Sequence, residues 1–177
     1  AVIAVFRVGG QFESISWNVA NGFSSAMNAF AAQNFGADKM DRVKRGYRIS
    51  FITVVIWGGF ITFLMVVFPA QISGIFFHAA EEIALCSNYL IIVGLSQIFM
   101  CVELMSVGAI SGLGNTKICS IISVVFTVIR IPIAFVLCAT PLAENGLWWA
   151  LTISSVLKGL IFWAAFHMES NKLIRQK

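Results

Sequence analysis

Five charged side chains fall inside long apolar runs of this sequence: Arg7, Glu13, Glu103, Arg130 and Lys158. Near the centre of a bilayer an Arg, Lys or Asp costs at least about 2.5–3.5 kcal/mol on insertion scales. Charges kept at that cost usually face a bundle interior or a watery cavity and mark an ion or substrate path. Arg7 lies near the start of its run, where snorkelling alone would accommodate it. Glu13 is deeper. At about 100° per residue, Glu13, Trp17, Asn21, Ser24 and Asn28 share one narrow helical face, widened by Ser14, Asn18 and Ser25. Such a stripe cannot comfortably face lipid tails. It either lines a water-filled cavity or hydrogen-bonds across helices as structural glue.

Glu103 has Gln97, Met100, Ser106 and Val107 near its face and is nine residues from the end of its run, about 14 Å deep at 1.5 Å per residue. Lys158 sits at much the same depth, and Arg130 within side-chain reach of it. One carboxylate and two cations at a common level predict an internal ion pair. It would be a static structural pair, or a switch in which a proton or metal ion competes with the cations. Depth is legible here and azimuth is not, so contact between Glu103 and either cation stays open.

These residues need membrane-spanning elements to position them. The 177 residues are 59% hydrophobic and 11% charged, against about 45–50% and about 25% in soluble domains. Apolar runs cover roughly 2–33, 49–68, 83–112, 118–139 and 147–168. Their length and lack of alternation predict helices rather than membrane strands. The expected fold class is an all-α membrane protein, a bundle of five transmembrane helices. Turn signals separate the runs: Gly36 at a helix end with Asp38 as a cap for the next helix, Pro69, G-L-G-N-T-K, and A-T-P-L-A-E-N-G. Pro132 should kink or loosen the fourth span. The G-x-x-x-G spacing of Gly108 and Gly112 permits close helix approach.

The net charge of +4 is placed by topology rather than for nucleic acid. One side holds Lys39, Arg42, Lys44, Arg45, Arg48, Lys117, Lys172, Arg175 and Lys177, nine of the twelve basic residues. The connections 69–82 and 140–146 carry no Lys or Arg, but Glu81, Glu82 and Glu144. By the positive-inside rule the first residues are outside and the last cytoplasmic, in the inner membrane of a multi-pass protein. The opening AVIAVFRVGG lacks an initiator Met and the basic n-region of a signal peptide, so the expectation is a chain entered mid-protein.

No HExxH, GxSxG, P-loop or dinucleotide fingerprint is present, and the reading is not an enzyme. Cys86, Cys101, Cys119 and Cys138 lie in apolar stretches without ligand spacing and read as small hydrophobes, so no metal or cofactor is expected. His78 and His167 read as interfacial residues.

The stretch G-F-S-S-A-M-N-A-F-A-A-Q-N-F-G-A at 22–37, followed by a basic segment, resembles the multidrug and toxic compound extrusion (MATE) family, with its G-x-x-x-A and Q-N-x-G-A pattern. G-A-I-S-G-L-G-N-T at 108–116, R-I-P at 130–132 and G-L-W-W-A at 146–150 agree in order and spacing. The resemblance implies a twelve-helix, two-lobed antiporter, of which this chain would be most of the six-helix C-terminal lobe, the eighth to twelfth helices. It implies export of organic, often cationic, drugs or metabolites in exchange for Na+ or H+. It makes Glu103, and Glu13 on the eighth helix, the coupling residues, although some members carry an Asp where this chain has Met100. Trp17, Asn21, Ser24, Asn28, Gln97 and Met100 would line the cavity, with Arg130 and Lys158 as internal charge partners. The partners expected are the organic substrate, membrane lipid and the N-terminal lobe of the same polypeptide. The rival readings are a lipid-linked precursor flippase of the same superfamily, which would want a more basic cavity, and a structural membrane subunit, which would not need buried carboxylates.

Overall fold

In lipid every backbone amide and carbonyl must be paired within the segment, which a long apolar run achieves as a helix. The computed structural model describes residues 2–139 and 144–175. Lys177 and positions 140–143 of the fourth connection lie outside the described residues. Among the described residues seven helices follow in order: α1 (Val2–Gly36), α2 (Met40–Val67), α3 (Pro69–Gly74), α4 (Ala80–Gly94), α5 (Gln97–Gly112), α6 (Thr116–Cys138) and α7 (Glu144–Arg175). The protein is an all-α membrane protein. By length and apolarity α2, α6 and α7 can each cross a bilayer, and α4 with α5 qualifies as a fourth, bent span. α1 is 35 residues long but not in that group, because its polar stripe lowers its hydropathy. It is held instead by packing along α5, the most extensive helix contact in the bundle.

Two expectations need correction. The basic segment 39–48 is not a loop but the first turns of α2. Gly36 is the last residue of α1, as expected, but Asp38 does not cap α2, whose N-cap is Lys39 without a side-chain bond. Asp38 instead takes the left-handed conformation (φ 60°) that closes α1. The Asp38 amide donates to Phe35 O (3.0 Å) and the Lys39 amide to Asn34 O (2.8 Å), the paired bonds of a Schellman ending. α5 ends identically, with Gly114 (φ 87°) donating to Ser111 O and Asn115 to Ile110 O. α6 continues as one helix through Pro132, since one missing amide need not end a helix of 23 residues.

The 83–112 run is also not one continuous span. α4 and α5 meet at Leu95–Ser96 with their axes bent by 46°. The break is tolerable because hydroxyls from other helices pair the carbonyls it disturbs. The Ser96 amide turns to Val93 O (3.0 Å) rather than to Ile92 O. Thr152 Oγ1 of α7 then donates to Ile92 O (2.8 Å), and Thr62 Oγ1 of α2 to Gly94 O (2.8 Å). Thr62→Val and Thr152→Val are each expected to destabilise the protein by about 0.6–1.7 kcal/mol. Melting of the detergent-solubilised protein checks this. Thr127→Val, which loses a bond to Ser123 O within its own exposed helix face, should leave melting unchanged.

Two apolar clusters divide the bundle. One gathers Met27, Val43, Tyr47, Met105, Ile110, Phe162 and Phe166; the other gathers Val5, Ile61, Met65, Tyr89, Leu90 and Trp148. Along α1 and α7 the change from one to the other falls between Val5 and Ala20 and between Trp148 and Phe162. Glu13 and Lys158 lie in those intervals.

Candidate charged cavity

Glu103 and Lys158 are brought into contact, Nζ to Oε1 at 3.3 Å, across the α5–α7 seam. The ion pair expected from depth alone therefore exists, and its cation is Lys158. Lys158 is only 8% exposed, so the carboxylate is the partner that offsets the cost of its burial. Glu13 on α1 accepts a hydrogen bond from the Tyr89 hydroxyl on α4. Arg130 on α6 acts electrostatically on both Glu13 and Glu103, and its buried Nε has no hydrogen-bond partner among the described residues.

All four charges line one cavity of about 220 Å³, together with Trp17 and Met100. α1, α5, α6 and α7 each contribute at least one of these side chains, and α4 contributes Val93. The wall carries two carboxylates and two cations in balance. Ser96, Ser155, Leu104 and Leu151 complete it. An entering cation or proton would compete with Lys158 and Arg130 for these carboxylates, and would add one positive charge to the balanced set.

The other expected lining residues are elsewhere. Asn21, Ser24, Asn28 and Gln97 are not on this wall. Ser24 and Asn28 share the face of Glu13, but α5 approaches the α1 backbone there and half-buries Ser24. An added Cβ at Gly108 would run into the Ser24 carbonyl, and one at Gly112 into that of Asn28. Ser24 is thus at the helix contact, the Asn28 side chain is exposed beside it, and Glu13 and Trp17 are on the cavity. Gln97 is fully buried, with neither amide atom hydrogen-bonded among the described residues. Ser106 bonds the Tyr47 hydroxyl (2.7 Å) on the α2 side. Arg7 is exposed and outside the site.

Sequence reasoning missed Tyr89. The signal was available: the chain has only two tyrosines, Tyr89 lies within the 83–112 run, and a phenol there needs a partner. Tyr47 finds Ser106 and Tyr89 finds Glu13. Gly9 makes room for the Tyr89 ring on α1.

An all-α membrane bundle around an internal charged cavity is the class that fold and site define. The family described as MatE matches residues 1–136, and the chain belongs to that family. Multidrug and toxin extrusion protein 1 of Homo sapiens and that of Pongo abelii are each 26% identical over 150 residues, covering 84% of this chain. The chain spans about a quarter of the length of those curated relatives, 26% of each. Among solved structures, one described as MATE in the bent conformation superposes with a TM-score of 0.90 at 14% identity, covering 98% of this chain and 39% of that one. An outward-facing multidrug resistance MATE family transporter of the MOP superfamily gives 0.89 at 15% identity, with the same coverages. At these identities the structures establish the shared fold.

Proposed function

We propose that this chain forms most of the C-terminal lobe of a cation-coupled antiporter that exports organic, often cationic, drugs or metabolites. The observation that carries the reading is the single cavity holding Glu13, Glu103, Arg130 and Lys158 inside the bundle. Glu103 and Glu13 are the coupling carboxylates, and an entering Na+ or H+ competes with Lys158 and Arg130 for them. The names of the curated relatives support drug extrusion as the activity. The flippase alternative is disfavoured by the two carboxylates that match the two cations on the wall. The test is efflux of an organic cation from proteoliposomes containing the full polypeptide, driven separately by a Na+ and by a pH gradient. Efflux with neither dependence would overturn the coupling.

The orientation follows from the nine-to-zero bias of basic residues, with the α1–α2 and α5–α6 turns cytoplasmic. Single cysteines at Asp41 and Glu81, both on exposed positions, check it on intact cells. The background should carry Cys138→Ser, because Cys138 is exposed while Cys86, Cys101 and Cys119 are buried. An impermeant maleimide is expected to label position 81 and spare 41; the reverse pattern would invert the topology.

A further inference from the structure

A second cavity, of about 410 Å³, opens between α2 and α7 at the end of the bundle that carries the basic residues. Among the described residues its wall carries Lys44, Arg48 and His167, and no carboxylate. The nearest acids by sequence are Glu169, which accepts from Asn115 Nδ2 (2.6 Å), and Asp41, which is exposed; neither lines the cavity. Lys44 is braced by Asn171, Nζ to Oδ1 at 2.7 Å. The aromatic part of the wall is apolar in character. The Tyr47 ring stacks on Phe166 with centroids 3.6 Å apart, and its hydroxyl is committed to Ser106. His167 stands edge-on to Trp163 at 4.8 Å.

A smaller groove of about 230 Å³ continues along the same seam over Ile98, Phe99 and Val102 of α5, sharing Phe51 and Trp163 with the first cavity. It is lined throughout by apolar residues, among them Val55 and Leu160. A cationic, acid-free pocket opening into an apolar groove has the polarity of one molecule, an anionic head on a hydrocarbon tail. Basic pockets between transmembrane helices on the cytoplasmic side suit phosphate headgroups, and Trp favours that depth. From this juxtaposition we propose that the α2–α7 seam is a binding site for an acidic phospholipid of the cytoplasmic leaflet. Its phosphate lies between Lys44 and Arg48, and one acyl chain lies along the groove beside Leu160. The leaflet rests on the orientation proposed above. Labelling at Asp41 tests that orientation independently of lipid binding, which is measured in detergent.

The experiment is native mass spectrometry of the purified full polypeptide with phosphatidylglycerol or phosphatidylcholine of identical chains. One phosphatidylglycerol should be retained, and phosphatidylcholine should not. Lys44→Gln with Arg48→Gln should weaken retention about tenfold to thirtyfold. Lys117→Gln with Lys172→Gln, the same charge removed outside the cavity, should not. Leu160→Trp, which fills the groove and keeps every charge, should also lose the lipid, and so decides the matter if the charge variant misfolds. Equal retention of both lipids, or retention unchanged by the cavity variants, overturns the proposal. Displacement by excess inorganic phosphate would assign the pocket to free phosphate and overturn the lipid.

Discussion

In the full polypeptide, Glu103→Gln is expected to reduce cation-coupled efflux to background while leaving the amount of protein in the membrane near that of the parent. The substitution keeps the shape of the side chain and an oxygen that can accept from Lys158 Nζ, now 3.3 Å away. It removes the negative charge for which an entering cation competes. If exchange at Glu103 limits transport, a loss of even about 1.4 kcal/mol in the rate-determining step slows efflux tenfold. The competing outcome follows from the same geometry. Lys158 is 8% exposed, and stripping a buried cation of its partner typically costs about 3–5 kcal/mol. A purely structural pair therefore predicts low expression or early melting for Glu103→Gln, restored when Lys158→Gln is added to the same chain. A coupling residue predicts normal expression and no recovery of efflux in the double variant. Initial rates under separate Na+ and pH gradients, with protein quantified in the same membranes, separate the two. Normal efflux by Glu103→Gln would remove Glu103 from the mechanism and leave Glu13 as the acidic group to test.

What could be read from the sequence follows from which forces are local. Apolar length and the charge bias between connections are properties of contiguous residues, so helical spans and the depths of Glu103 and Lys158 were legible. Which way each side chain points around its helix depends on neighbours from distant parts of the chain. Contact between Glu103 and Lys158, 55 residues apart, needed the structure. The α4–α5 break was hidden for the same reason. A glycine inside a long apolar run is unremarkable, and the groups that make the break tolerable, Thr62 and Thr152, come from α2 and α7. The stripe on α1 was correctly placed on one face, but a face does not say where along its length another helix approaches it. Asp38 was misread because Asp serves both as a helix cap and as a residue tolerant of the left-handed region, and only the backbone distinguishes the two.

The approach of α5 to that stripe defines the substitution with the largest expected effect on folding, Gly108→Val. A Cβ at Gly108 would overlap the Ser24 carbonyl oxygen and lie 2.7 Å from its carbonyl carbon and from Oγ. Two of those three atoms are backbone, so no rotamer change relieves the clash, and α1 must move away from α5. Overpacking typically costs about 1–3 kcal/mol, and a displaced helix adds the contacts it gives up. Gly22→Val on α1 is the control, since nothing lies within 4 Å of a Cβ there. The expected result is loss of monodisperse protein, or a melting temperature far below the parent, for Gly108→Val, an intermediate loss for Gly108→Ala, and little change for Gly22→Val. The effect reaches the site because α1 also carries Glu13 and Trp17, eleven and seven residues before Ser24, or about 16 and 10 Å along one rigid helix. Any Gly108→Val protein that folds should therefore transport poorly, with Glu13 drawn from Tyr89 and the cavity widened. Melting equal to that of Gly22→Val would mean that α1 and α5 do not approach at Gly108, and the division of the stripe into cavity and helix contact would fall with it.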